Sequence, residues 1–370
     1  MPKSSDEREV VPRPSGASVW EERGISRRDF MKFCTAMSAA LALPMSLVPR
    51  IAEALEADGR PSVIWLEFQG CTGDSEALLR AASPTVGEIV LDVLSVDYHE
   101  TIMAAAGHQA EEARLKTEKE RTGKYIAVVE GAIPLKDGGI YCCVGGRSAV
   151  DIAREVCGGA LATIAVGTCA SYGGIPAAAP NPTGAVSVSE AVPGATVVNI
   201  PGCPLNTDNL VATIVHFLTF GKLPAVDGKG RPLFAFGKRI HDNCERRPHF
   251  DAGQYVEQWG DQGHRKGYCL YKMGCKGPET FHNCPTQRYN EKTSWPVGSG
   301  HGCAGCSEPH FWDTMTPFYR RLPNVPGFGI EMTADKIGLG LAAGTAAAFG
   351  IHGVVSALRK GDESDEGKEG

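Results

Sequence analysis

Apolar residues along the chain fall in short runs, and three of these runs end in glycine-flanked turns. Residues 64–68 read I-W-L-E-F and pass into Q-G-C-T-G-D at 69–74. Residues 162–166 pass into G-T-C at 167–169, and 196–200 into P-G-C at 201–203. Runs of this length, bounded by Gly and Pro, predict buried strands. Strands are expected over 62–68, 89–98, 125–130, 162–166 and 196–200. Helices are expected over 75–82, 100–121, 148–156 and 209–220. Strands alternating with helices predict an α/β fold with a doubly wound parallel sheet, ending near Pro224.

Past Lys222 the periodicity stops. From Asp227 to Pro326 the chain is rich in Gly and Pro. A stretch this long without regular elements needs another organiser. Periodicity returns at 337–358, which is apolar and uncharged. At about 1.5 Å per residue this run can cross a hydrocarbon core of about 30 Å. Lys336 flanks one end, Arg359 and Lys360 the other, and Gly340 and Gly344 suit close helix contact. The alternative is a helix buried in the globular body. The remaining residues, 359–370, read as a polar tail. At the other end, residues 1–24 are polar. They are followed by R-R-D-F-M-K at 27–32, an apolar stretch at 33–48 and A-E-A at 52–54. This is the layout of a twin-arginine secretory signal over residues 1–54; the alternative is an amphipathic N-terminal helix. On the signal reading Cys34 leaves with the leader. The expected domains are thus 1–54, 55–224, 225–330 and 337–358, with the tail.

Composition changes this picture in two ways. The formal net charge of -6 lacks the clustered basic surface that nucleic-acid binding requires, so no nucleic-acid partner is expected. The chain also carries 13 cysteines, an odd number that weakens a disulfide framework. Cys71, Cys169 and Cys203 each follow a strand, and Asp74 adds a carboxylate three residues after Cys71. Parallel strands of one sheet bring such ends together, where open α/β sheets bind ligands. The loop-rich region holds His241, Cys244, Cys269, Cys275, Cys284, Cys303 and Cys306, so metal is its expected organiser. The first four of these form a Cys3His set that could hold zinc in a tetrahedral site. The last three are one ligand short for structural zinc but fit an iron–sulfur cluster missing one iron. Spacing alone leaves iron–sulfur clusters, zinc and disulfides all open. Three sites in series suggest a relay of redox centres.

With these residues in view, the chain resembles the small, electron-transferring subunit of membrane-bound, periplasm-facing [NiFe] hydrogenases. The likeness runs from the R-R-D-F-M-K signal to the C-terminal apolar run. It is carried by G-C-T-G at 70–73, P-L-K-D-G-G-I-Y-C at 134–142, G-T-C-A-S-Y-G-G at 167–174 and N-P-T-G at 181–184. N-I-P-G-C-P at 199–204 and R-I-H-D-N-C-E-R-R-P-H-F-D-A-G at 239–253 extend it. G-Y-C-L-Y-K-M-G-C-K-G-P at 267–278, N-C-P-T-Q-R at 283–288 and G-H-G-C-A-G-C-S-E at 300–308 complete it. The resemblance implies a flavodoxin-like domain followed by a loop-rich iron–sulfur domain and a transmembrane helix. It implies a proximal [4Fe–4S] cluster on Cys71, Cys169 and Cys203, and a distal [4Fe–4S] cluster on His241, Cys244, Cys269 and Cys275. A medial [3Fe–4S] cluster falls to Cys284, Cys303 and Cys306, with Pro296 where a fourth cysteine would stand.

Asp74 departs from the family motif C-T-G-C. A carboxylate there is a harder, less donating ligand than thiolate, and Asp74 is expected to complete the proximal set. The alternative is a loop carboxylate capping the helix at Ser75. Oxygen-tolerant members with a special proximal cluster carry extra cysteines beside these ligands; this chain has Gly73 and Gly174. Cys142, Cys143 and Cys157 match no ligand and are expected to be buried thiols. The implied function is electron transfer in an uptake hydrogenase whose nickel–iron centre lies in a separate large subunit, so no catalytic residue is expected here. Electrons would leave to a membrane cytochrome b or other quinone-linked subunit. The implied place is the periplasmic side of the cytoplasmic membrane, and the expected assembly is a dimer of heterodimers. Two rivals are the cluster subunit of NADH:quinone oxidoreductase, which lacks a second cysteine domain, and an exported zinc- or disulfide-stabilised binding protein.

Overall fold

The structure is a computed structural model that describes residues 26–56, 60–81, 85–89, 93–320 and 334–365. The polar N-terminal stretch before Ser26, residues 321–333 and the last five residues lie outside the described residues. Five parallel strands form one sheet: β1 (Ser62–Glu67), β2 (Ser95–His99), β3 (Ile126–Glu130), β4 (Ala162–Val166) and β5 (Val197–Ile200). Their order is β2-β1-β3-β4-β5, the flavodoxin-like doubly wound order. β3 and β4 are buried at every position, the sign of a sheet covered on both faces.

One face packs on Ile64, Leu66, Ala127, Val129 and Ala165 with helix Ala149–Gly159. The other packs on Val63, Trp65, Val128, Ile164 and Val198 with helix Thr207–Phe220. Two N-terminal helices, Arg27–Ala40 and Val48–Glu56, join this second core. Phe30, Phe33, Cys34, Met37 and Ile51 are all buried in it, and the Arg50 guanidinium lies 5.1 Å from the centre of the Phe220 ring. The segment read as an export leader is therefore folded against the body.

Strand β2 begins later than the expected 89–98. Thr85 and Glu88 form a reciprocal capping box, so the residues ahead of Ile89 turn helically before the strand can start. The helix expected over 100–121 is shorter, at His108–Glu120. Between Gly237 and Arg320 regular structure shrinks to helices of three to five residues, such as Ile240–Asn243 and Arg247–Asp251, around a small core of Ile240, Val256, Leu270, Trp295 and Val297. The last helix, Ala334–Asp365, outruns the expected 337–358. Its apolar stretch Leu339–Ser356 is 0% buried, so it is not a core helix of the globular body. The side chains of Lys336, Arg359 and Lys360 lie outside the described residues.

Candidate metal centres

Cys71, Cys169 and Cys203 stand at the carboxyl ends of β1, β4 and β5, where the alternation of strands and turns puts them. Cys71 precedes helix Gly73–Leu79, and Cys169 lies within the short helix Gly167–Tyr172. Burial pushes the Cys169 thiol up to about 11, and the nearby charges of Asp74, Cys71 and Glu130 add to the rise. Burial pushes Cys203 up to about 12, with Cys306, Cys169, Asp74 and Cys71 contributing. The three thiols and Asp74 therefore share one rim. Gly73 and Gly174 border it: a Cβ on Gly73 would lie 3.0 Å from the Cys71 sulfur, and one on Gly174 2.7 Å from the Cys169 sulfur.

Asp74 is buried at 8% exposure. Its Oδ1 accepts a 2.6 Å hydrogen bond from the backbone N–H of Leu205. Its Oδ2 rests against Gly167, where a Cβ would come within 1.9 Å and the φ of +73° suits glycine. Burial, with Glu130 as a neighbour, raises its carboxyl to about 7. The expected alternative for Asp74, a helix cap, is not what the structure shows. Glu130, at the end of β3, takes that place: its Oε1 accepts the Asp74 N–H at 2.9 Å, and its Oε2 accepts the Ser75 N–H at 3.0 Å and the Ser75 hydroxyl at 2.6 Å. Sequence reasoning missed Glu130 and Leu205. The available signal was a carboxylate closing an otherwise apolar strand, I-A-V-V-E.

Cys284, Cys303 and Cys306 line one cavity of about 930 Å³ together with Cys203 and Pro296. Burial raises all three thiols, and each lies near at least one other of the set. The Thr168 hydroxyl donates to the Cys306 carbonyl and accepts from the backbone N–H of Gly202, next to Cys203, at 3.0 Å. His241, Cys244, Cys269 and Cys275 line a separate cavity of about 20 Å³. Burial holds His241 down at about 4, the neutral form a metal needs. It pushes Cys244 up to about 11 and Cys269 to about 12. The Cys303 N–H donates to the Cys275 sulfur at 3.2 Å, joining this group to the one before it.

All thirteen cysteines are free, so disulfides do not organise the loop-rich region. Among the described residues no group of three or more His, Cys, Asp or Glu side chains closes around a single ion. Thiols spread around a cavity suit a cage of several irons better than one zinc, which needs four ligands at about 2.0–2.3 Å. Buried neighbouring thiols are costly to ionise alone, and cations between them compensate the charge. The donor sets therefore fit iron–sulfur clusters. Cys157 is buried as expected, with its thiol pushed up to about 12, and Cys142 is half-buried. Cys143 corrects the expectation: it is exposed, since the two-residue strands Cys143–Val144 and Arg147–Ser148 form a surface hairpin.

Residues 71–217 match the family model of the NADH ubiquinone oxidoreductase 20 Kd subunit, and residues 236–319 match that of the C-terminal region of the NiFe/NiFeSe hydrogenase small subunit. The chain is 49% identical to the uptake hydrogenase small subunit of Azotobacter vinelandii over 92% of its length and 95% of that protein. It is 48% identical to the quinone-reactive Ni/Fe-hydrogenase small chain of Wolinella succinogenes over 93% of its length and 99% of that one. Among solved structures, a reduced, active form of the Ni-Fe-Se hydrogenase from Desulfomicrobium baculatum superposes with a TM-score of 0.67 at 38% identity, covering 71% of this chain and all of that one. A match to the quinone oxidoreductase model over the sheet domain alone reflects a shared fold, and the relatives that span both domains decide between the two. The chain belongs to the small subunits of nickel–iron hydrogenases, the electron-transferring part of that oxidoreductase.

Proposed function

We propose that this chain carries electrons along three iron–sulfur clusters, from a nickel–iron site in a partner large subunit to a quinone-linked membrane subunit such as a cytochrome b. The observation that carries the proposal is the order of contacts between the cysteine groups. Thr168, next to Cys169, accepts from the Gly202 N–H and donates to the Cys306 carbonyl, and the Cys303 N–H reaches the Cys275 sulfur. The three groups thus form one line from the sheet rim into the loop-rich region. Iron–sulfur clusters bound there would accept and pass on single electrons. Cys71, Asp74, Cys169 and Cys203 would hold the proximal [4Fe–4S] cluster. Cys284, Cys303 and Cys306 would hold the medial [3Fe–4S] cluster, with Pro296 closing the fourth corner. His241, Cys244, Cys269 and Cys275 would hold the distal [4Fe–4S] cluster. Metal analysis of the purified complex tests this. Iron and acid-labile sulfide are expected at the level of two four-iron clusters and one three-iron cluster per chain. Stoichiometric zinc without sulfide would reject the reading.

The same reading puts the complex, as a dimer of heterodimers, on the periplasmic side of the cytoplasmic membrane. The paired arginines Arg27 and Arg28 and the apolar, exposed helical stretch Leu339–Ser356 support it. In fractionated cells the full chain is expected in the membrane. A chain ending at residue 326 is expected in the soluble periplasm, still reducing an artificial dye with hydrogen. Persistent membrane binding of the shortened chain would put the anchor elsewhere, and its retention in the cytoplasm would count against the export route.

A further inference from the structure

Cys284 is flanked by a residue that no part of the relay reading uses. His282 is 2% exposed. Its backbone N–H donates to the Lys238 carbonyl at 3.2 Å, which fixes where the side chain starts. Its ring stands edge-on to Phe236, with centroids 4.8 Å apart and planes at 85°. That packing aims Nδ1 at the Cys284 sulfur, 3.0 Å away. Nε2 is buried without a hydrogen-bond partner among the described residues. Among the described residues the ring therefore makes one hydrogen bond, to a sulfur.

The chemistry of the pair decides the tautomer. A cysteine that ligates iron does so as thiolate, which can only accept. The proton between the two residues must then sit on Nδ1, leaving Nε2 bare, in keeping with its lack of an acceptor. Tyr289 also lies near Cys284, but its hydroxyl donates to the Pro204 carbonyl at 3.3 Å. The His282 N–H has no such alternative among the described residues. Backbone N–H groups reach the neighbouring sulfurs, as Gly305 does Cys303 at 3.4 Å. His282 supplies a side-chain N–H donor, and a substitution can remove it without touching the backbone.

We propose that His282 is a positioning residue that sets the reduction potential of the medial cluster by donating its Nδ1–H to the Cys284 thiolate. The inference rests on the reading of Cys284 as an iron ligand. When one electron enters the cluster, negative charge on its thiolates grows. A donor held against one of them stabilises the reduced state more than the oxidised one. No bond breaks in this step, and the proton stays on Nδ1. The donor thus makes the medial cluster a better acceptor.

The test uses the purified complex in redox titrations followed by EPR. His282→Phe keeps an aromatic ring against Phe236 and removes the donor. It is expected to lower the equilibrium constant for medial-cluster reduction about tenfold, a shift of about 59 mV to more negative potential for a one-electron couple. His282→Asn, which can offer an amide N–H, is expected to recover part of the shift. In the unsubstituted protein with 15N-labelled histidine, pulsed EPR of the oxidised cluster should show a weakly coupled imidazole nitrogen. An unchanged potential in His282→Phe with the three-iron signal intact would overturn the proposal. So would a three-iron signal without nitrogen coupling, which needs no variant to fold. Iron-loaded protein with no three-iron signal would overturn the cluster assignment itself, and the inference with it.

Discussion

Removing iron from the purified protein is expected to unfold residues 237–320 and to leave the parallel sheet folded. The two halves of the chain are held by different forces. The sheet buries two large apolar faces, and its strands pair over four or five residues each. The loop-rich half has no comparable core. Ile240, Val256, Leu270, Trp295 and Val297 are its buried aliphatic and aromatic members, and Cys284 and Cys303 complete the cluster. Helices of four residues, such as Gln262–Arg265 and Cys284–Gln287, do not persist alone, because nucleation outweighs the few hydrogen bonds gained. Bonds that tie this half to the sheet domain are polar: Asn209 with Asn283 at 2.8 and 3.0 Å, and the Tyr289 hydroxyl with the Pro204 carbonyl at 3.3 Å. A structural metal site in a small domain contributes on the order of 10 kcal/mol, which here would come from the bound clusters. Hydrogen exchange read by mass spectrometry, before and after chelation, checks this. Protection should be lost across 237–320 and kept across 62–67, 126–130 and 162–166. Equal protection in both samples would mean that something other than metal organises the region.

The strand ends were legible because three local signals coincide at each: an apolar run, a glycine and a cysteine. β4 falls on the expected residues 162–166, and β5 begins one residue late. The start of β2 was not legible. The T-V-G-E capping box is followed by an apolar stretch, and a count of apolar residues extends the strand backwards over it. The N-terminal segment was ambiguous for a related reason. Phe30, Phe33 and Met37 lie three and four apart, which suits the apolar part of a leader and a packed helix equally. The pairings that finish the candidate sites were beyond reach. Glu130 caps a helix 56 positions earlier in the chain, and the Leu205 N–H reaches a carboxylate 131 positions away. Neither pairing leaves a trace in local spacing. His282 was closer, two residues from Cys284, but an i, i+2 contact depends on the turn between them, and the sequence does not specify that turn.

Asp74→Cys is expected to lower the reduction potential of the proximal cluster, and Asp74→Ala to cost the fourth ligand altogether. Asp74 follows Cys71 by three residues at the start of helix Gly73–Leu79, where the resemblance places a thiolate. The carboxylate is buried, and Cys169 and Cys203 feel its charge. Leu205 holds Oδ1 at 2.6 Å, so one oxygen is fixed by the backbone of the segment after Cys203. An oxygen ligand donates less to iron than sulfur does and leaves the reduced state easier to reach. Restoring thiolate should therefore lower the equilibrium constant for reduction roughly tenfold, about 59 mV for one electron. Alanine carries a second cost, since the buried Leu205 N–H loses its acceptor, worth about 1–3 kcal/mol. Asp74→Asn separates the two effects. Its amide oxygen can still accept from Leu205, yet it offers iron no anionic ligand. Asparagine should then match alanine in cluster loss and exceed it in stability. EPR-monitored titration of the three variants, with iron counted in each, gives the potentials. A high-resolution structure of the loaded protein gives the ligand directly. A carboxylate oxygen farther than about 3 Å from every iron, well beyond a metal–oxygen bond of roughly 2.0–2.2 Å, would reject Asp74 as a ligand. Its hydrogen bond to Leu205 would then be its whole role, and asparagine should leave the cluster intact.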